Sequence, residues 1–180
     1  DPDNKLLWRM NPLRMESQIV RDSLLALSGE LDLTLGGPSV AANDENSKRR
    51  SLYFTHSNND QNRFLAMFDD AKVQECYRRA ESVVPQQALA LENSRLASQA
   101  AERIATKLVA SDSKISDSDF IQRAFVTVLS AEPTSAEREA CMSALKEWSQ
   151  LIQPASEATT KSRVRLIQAL LNHNDFVTVR

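Results

Sequence analysis

The chain has 180 residues, of which 42% are hydrophobic, 26% charged and 6% aromatic, and its formal net charge is −2. This length fits one domain, or one domain with a small appendage. The charges are evenly mixed: no basic half or tail could follow a phosphate backbone, so nucleic acid is not expected as a partner. No apolar run reaches the about 18 residues that a membrane span requires.

The glycine content predicts the fold class. Glycine occurs at only three positions, whereas sheet proteins with many tight turns need glycine for positive φ angles. Apolar residues recur instead at helical spacing. We therefore expect an all-α fold, an irregular multi-helix bundle of six or seven helices, as a single helical domain over residues 1–180. A short extended and loop excursion is expected near residues 31–56.

The first half of the chain contains a helix that ends at Gly29, because glycine favours the left-handed conformation of a helix C-terminus. A long helix is predicted to begin at Pro85, whose missing N–H suits the first helical turn, and to run to about Ala110. The apolar stripes of this half are Val20, Leu24, Leu27 and Leu31; Phe64, Leu65 and Phe68; Val73, Cys76, Tyr77 and Ala80; Leu89, Leu96, Ala100, Ile104 and Leu108.

The second half contains three further predicted helices. One begins at Ser116 or Asp117, which can cap its N-terminus, and the next begins at the capping box formed by Thr134 and Glu137. Their stripes and that of the last helix are Phe120, Ile121, Ala124, Phe125, Val128 and Leu129; Cys141, Leu145, Trp148 and Ile152; Val164, Ile167, Leu170 and Leu171.

Residues 31–56 interrupt the helical pattern. Apolar and polar residues alternate in residues 31–35 and again around residues 50–54, which predicts two short extended segments. Between them, residues 43–48 are entirely polar, and we expect a mobile loop over residues 41–48.

The two cysteines, Cys76 and Cys141, lie in apolar, helix-like contexts. Buried free thiols are the simpler interpretation, and a single disulfide is the alternative if the protein is exported. The sequence has no CxxC or CxxCH motif, so we expect neither a zinc knuckle nor a covalently attached haem in this chain. No cofactor is expected here.

Candidate sites for chemistry are few. His56 and Asp60 belong to a polar cluster that could bind a divalent metal or a sugar, but its spacing matches no calcium loop, and such residues usually form turns and caps. The glycines at 36 and 37 lack the lysine and helix of a phosphate-binding loop. We therefore assign no catalytic residue and no metal ligand, and keep His56 and Asp60 as binding candidates.

Two arginine pairs, Arg49–Arg50 and Arg78–Arg79, are further binding candidates. They are either solvated surface groups or a device in which one arginine of each pair turns inward and holds loops through backbone carbonyls and a carboxylate. Asp22 and Asp69 are the expected carboxylates. Around the helix that begins at Pro85, polar residues stand beside the apolar stripe, and we expect at least one of them to be buried and bonded to loop backbone: Gln86, Gln87 and Asn93.

Short segments spread along nearly the whole chain carry a family resemblance. They are Leu7–Asn11, Gln18–Gly29, Leu31–Val40, Arg49–Tyr53, Phe68–Asp69, Cys76–Arg79, Val84–Leu89 and Leu170–Phe176. In sequence and order they resemble the C-terminal planctomycete domain of unknown function numbered 1553. The family's Leu-Gly-Arg-x-Pro-Thr stretch departs here, because residues 129–134 lack its glycine and its arginine.

The resemblance implies the tail of a large exported bacterial protein whose other parts often include a cytochrome-c-like haem segment. The chain begins Asp1-Pro2 without an initiator methionine, so we expect a C-terminal fragment of a multidomain protein, located in the periplasm or at the cell surface. Any haem would then lie in the upstream parts. Two functions follow: a non-catalytic structural or partner-binding module that contacts other domains or a protein partner, or an incomplete enzyme, for example one acting on polysaccharides.

Overall fold

Helices dominate the computed structural model of the chain, which describes residues 1, 4–71, 73–74, 85–110 and 114–179. This confirms the predicted all-α class. A small antiparallel pair of strands joins the two ends of the chain, with Leu13 opposite Val179. In chain order the elements are β1 (Leu13–Arg14), α1 (Ser17–Ser28), α2 (Arg63–Met67), α3 (Pro85–Asn93), α4 (Arg95–Ala110), α5 (Asp117–Leu129), α6 (Ser135–Leu151), α7 (Ala155–Leu171) and β2 (Thr178–Val179).

The core lies between α4 and α7, which pack against each other. Helix α1 covers α4 from one side, while α5 and α6 pack on α7. The largest completely buried apolar side chains come from four of these helices: Val20, Leu24, Ile104, Phe120, Ile121, Ile167 and Leu171. Burial of these side chains supplies the main stabilisation of the bundle.

Three predicted helix ends are confirmed. Gly29 ends α1 with a φ of 79°, in the left-handed region that disfavours other residues. The Ser116 hydroxyl accepts a hydrogen bond from the Asp119 N–H at the start of α5. Thr134 and Glu137 form the expected capping box of α6.

The single long helix predicted from Pro85 to Ala110 is wrong, because two helices meet at Ser94. The Ser94 hydroxyl accepts a hydrogen bond from the Ala97 N–H, at 3.2 Å, and so caps a new helix. Serine competes in this way with a continuous helix, and neither glycine nor proline marks the break. The stripe from Val73 to Ala80 falls mainly on residues outside the described ranges.

The excursion at residues 31–56 is built from short backbone pairings. The Asp32 N–H donates to the Lys48 carbonyl at 2.8 Å, and Val40 exchanges hydrogen bonds of 2.7 Å with Tyr53 and Thr55. The segment therefore forms a loosely paired layer beside α1, which contacts residues 51–53.

Candidate functional site

A buried arginine on α1, Arg21, organises the excursion. Its side chain is 3% exposed and donates to the carbonyls of Ser47 and Arg49 and to the Ser51 hydroxyl. The guanidinium also lies 4.6 Å from the centre of the Phe54 ring. One side chain thus links α1 to both ends of residues 47–54.

The carboxylate of Asp22 completes this arrangement. It accepts hydrogen bonds from the Ser51 N–H at 2.9 Å and from the Ser51 hydroxyl at 2.6 Å, and it lies 3.4 Å from Arg21 Nη1. Burial lowers the pKa of Arg21, and the charge of Asp22 opposes that shift. Asp22 is therefore placed beside an inward arginine, which is Arg21 and not a member of either arginine pair.

Arg49 is half-buried and holds the chain between Thr34 and Pro38. It donates to the carbonyls of Thr34, Gly36 and Pro38, and its guanidinium lies 3.7 Å from the centre of the Tyr53 ring. The Tyr53 hydroxyl accepts a hydrogen bond from the Gly36 N–H at 2.8 Å. These contacts fix the backbone of this loop.

Arg50 is exposed. It lines a groove of about 590 Å³ along α1, whose apolar members include Ile19, Leu31 and Leu52. The other predicted pair, Arg78–Arg79, lies outside the described residues.

His56 and Asp60 lie in the loop that precedes α2. His56 Nδ1 is 3.6 Å from the carboxylate of Asp70, a largely buried group that also accepts hydrogen bonds from Ser17 and Gln18. Asp60 is exposed, and its backbone pairs with that of Ser57. The structure thus brings His56 to a carboxylate and leaves Asp60 in a turn.

Gln87 is the buried member of the polar set near the start of α3. Its amide accepts from Arg14 and donates to Asp69, at 3.2 Å, so it bonds to side chains where loop backbone was expected. Gln86 and Asn93 are exposed. Gln87 ties β1 and the end of α2 to α3.

A second buried arginine, Arg163 on α7, was missed by sequence analysis, as Arg21 was. Its guanidinium donates to the Asp117 carboxylate at 2.7 Å and to the Ile115 carbonyl at 2.8 Å, and it lies 4.9 Å from the Phe120 ring centre. The sequence does contain an indication of both buried arginines, because each lies within an apolar stripe of its helix. Arg21 directly follows Val20, and Arg163 precedes Leu166 by three residues.

In the N-terminal apolar segment, residues 6–13, several large apolar side chains are exposed to solvent. Leu6 is 82% exposed and Trp8 66%, and this exposure occurs in a chain with fixed local contacts. The Asp1 carboxylate accepts from the N–H groups of Lys5 and Leu6, and the Trp8 indole donates to the Asp1 carbonyl at 3.0 Å. The exposed large apolar residues of the segment are Leu6, Leu7, Trp8, Met10 and Leu13.

Within the described ranges, no group of three or more His, Cys, Asp or Glu side chains could hold a metal ion. None of the helices described is long and apolar enough to cross a membrane. Cys141 is a half-buried free thiol, whereas Cys76 lies outside the described residues.

The architecture is a helical bundle with a looped layer that is held by the buried Arg21 and the half-buried Arg49. The model of the PSD1 family, proteins of unknown function (DUF1553), matches residues 1–145, and the chain belongs to this family. The resembling segment at Leu170–Phe176 lies beyond the matched range. No curated protein and no solved structure matches the chain.

Proposed function

We propose that this chain is a non-catalytic, partner-binding module of a larger exported bacterial protein. In this proposal the N-terminal apolar segment docks against another domain of the same protein. Membership of a family of unknown function supports the most general part of this proposal, namely that the chain is an uncharacterised module. The planctomycete resemblance supports the finer parts, namely export and a parent with a cytochrome-c-like segment, to which any haem would belong.

The observation that carries the proposal is the exposure of the N-terminal apolar segment. Monomeric soluble proteins rarely expose contiguous apolar surface of this kind unless it is an interaction site. Tryptophan and methionine are enriched at the centres of protein interfaces, and Trp8 and Met10 both lie here. Docking would remove these side chains from water, a hydrophobic contribution of about 25 cal/mol for each Å² buried, from which the entropic cost of association is subtracted.

The segment is also preorganised. Asn4 is almost fully buried, and its amide donates to the Arg9 carbonyl at 2.6 Å and to the Asn11 side chain at 2.8 Å. A surface that is ordered before binding loses less conformational entropy when a partner arrives. The fixed geometry therefore favours a docking role over that of an unstructured linker.

The alternative function, an incomplete enzyme, has its best support in the pairing of His56 with Asp70. A carboxylate that orients an imidazole is a common element of general-base catalysis. Ser17, which also contacts Asp70, is completely buried and is out of reach of a substrate. The partner-binding function therefore accounts for more of the surface.

Hydroxyl-radical footprinting tests the proposal by comparing this chain with the full-length protein. Met10 and Met142 are both exposed, by 60% and 41%, so Met142 on α6 is a matched control. We expect oxidation of Met10 and Trp8 to slow several-fold in the full-length protein while Met142 keeps its rate. Equal rates at Met10 in both proteins would refute the proposal.

A further inference from the structure

We propose that two copies of this chain pair edge to edge through Leu31–Leu35, in antiparallel register, with Leu33 of one copy opposite Leu33 of the other. This inference does not depend on the N-terminal docking surface. It follows from the hydrogen bonding, the exposure and the leucine spacing of this one segment.

The inner edge of the segment is already occupied. The Asp32 N–H donates to the Lys48 carbonyl, and Arg49 holds the carbonyls of Thr34 and Gly36. The backbone runs from residue 31 to residue 35 without a turn or bend, and in extended chains the N–H and C=O groups of successive residues point to opposite sides. The groups of Leu33 therefore face outward.

The outer edge carries free hydrogen-bonding groups. Within the described parts of the chain, the N–H and C=O groups of Leu33 and Leu35 have no hydrogen-bond partner, and neither does the Leu31 carbonyl. Unpaired strand edges are templates for pairing with another chain. Natural edges are usually protected by lysine, proline or a bulge, and residues 31–35 contain neither lysine nor proline.

The side chains beside this edge are apolar and exposed. Leu33 is 67% exposed and Leu35 80%. Because side chains alternate between the two faces of an extended chain, Leu31, Leu33 and Leu35 lie on the same face. Pairing of the edge would place these leucines against the leucines of its partner.

A second copy is the partner that fits, because Leu31 and Leu35 are spaced equally on either side of Leu33. With a two-fold axis at Leu33, the two Leu33 residues exchange hydrogen bonds, and each Leu35 N–H donates to the Leu31 carbonyl of the other copy. Leu31 then faces Leu35 across the pair. Such apolar cross-strand pairs stabilise antiparallel strands.

The charges of the segment are compatible with this register. Asp32 of one copy lies opposite Thr34 of the other, so the two carboxylates do not face each other. The Asp32 carboxylate already accepts a hydrogen bond from its own Thr34 N–H at 2.9 Å. Arg49 and Tyr53 fix the inner side of the edge, which lowers the entropic cost of pairing.

Sedimentation velocity over a concentration series tests the pairing. We expect the wild-type chain to dimerise, and Leu33→Lys to weaken the dimer by about tenfold or more, since like charges would lie directly opposite each other. Leu33→Glu should weaken it similarly. An equimolar mixture of the two variants should form a mixed dimer, because opposite charges then lie across the two-fold axis.

Leu151→Lys is the matched control. Leu151 is 76% exposed at the end of α6, and its substitution should leave the dimer unchanged. A wild-type chain that stays monomeric at all concentrations overturns the proposal. The same result is expected if the edge pairs with a strand of a different protein. A dimer that Leu33→Lys leaves intact also overturns it. Footprinting of Met10 is unaffected by either result, so the two proposals fail separately.

Discussion

Replacing Arg21 by alanine would remove the side chain that fastens the excursion to α1. The substitution leaves the carbonyls of Ser47 and Arg49 without their donor, removes the cation beside Asp22 and opens a cavity against the Phe54 ring. Each of these losses destabilises the folded chain, because buried polar groups without partners retain their full desolvation cost.

The expected loss is about 3 kcal/mol in the free energy of unfolding, at the lower end of the about 3–5 kcal/mol that follows from breaking a buried ion pair. We choose the lower end because Arg21 Nη1 lies 3.4 Å from the Asp22 carboxylate, whose side chain is 18% exposed. For a chain of this size, that loss corresponds to a decrease in Tm of about 6–12 °C.

Thermal and urea unfolding, followed by circular dichroism, measure the effect, with Arg50→Ala as the matched control. Arg50 is exposed, and its replacement should cost about 0.5 kcal/mol or less. Arg21→Lys should recover less than half of the loss, because an ammonium group cannot reproduce the planar fork of guanidinium donors. If Arg21→Ala and Arg50→Ala unfold at the same midpoint, the reasoning is wrong.

Four further predictions concern helix α6 and haem. Thr134→Ala should lower the free energy of unfolding by about 1 kcal/mol, against Ser143→Ala as control. Hydrogen bonds from Thr134 hold the pKa of Glu137 below its ordinary value, so the stabilisation by Glu137 is present above its unfolded-state pKa and is lost as the pH falls through the lower folded-state pKa. The urea midpoints of wild type and Glu137→Gln should converge over that interval. Burial, together with the charge of Glu137, raises the pKa of the Cys141 thiol. In a Cys76→Ser variant at mildly alkaline pH, Cys141 should therefore react with a thiol reagent more slowly in the folded chain than in the unfolded chain. Equal rates in the two states would contradict this. The purified chain should show no Soret band, whereas a stoichiometric haem band would disprove the absence of haem.

Local signals in the sequence were sufficient to locate many helix ends. Gly29, Ser116 and the Thr134–Glu137 box act through neighbouring backbone groups, so their effect depends on a few adjacent residues. Ser94 shows the limit of this approach. Its hydroxyl caps α4, but a serine inside an apolar stripe equally fits a continuous helix, and the packing of α3 and α4 decides between the two.

The arginines show why the site was only partly predictable. The Arg–Arg pairs attract attention as charge clusters, yet Arg50 is exposed while the isolated Arg21 is buried. The buried positions of α1 follow helical spacing through Ser17, Val20, Arg21 and Leu24. An arginine within such a stripe indicates a buried guanidinium, but its partners at residues 47–51 are distant in sequence and depend on how the excursion folds back.

Helix α7 has a consequence for where this domain should be cut. The match to the family model ends at residue 145, ten residues before α7 begins at Ala155. Nevertheless, α7 supplies the completely buried Ile167 and Leu171. We expect a chain that is shortened to the matched region to expose the side of α4 that packs on α7, and therefore to be less stable. The packed core therefore extends beyond the residues that match the family model, and an expressed form of this domain should include α7.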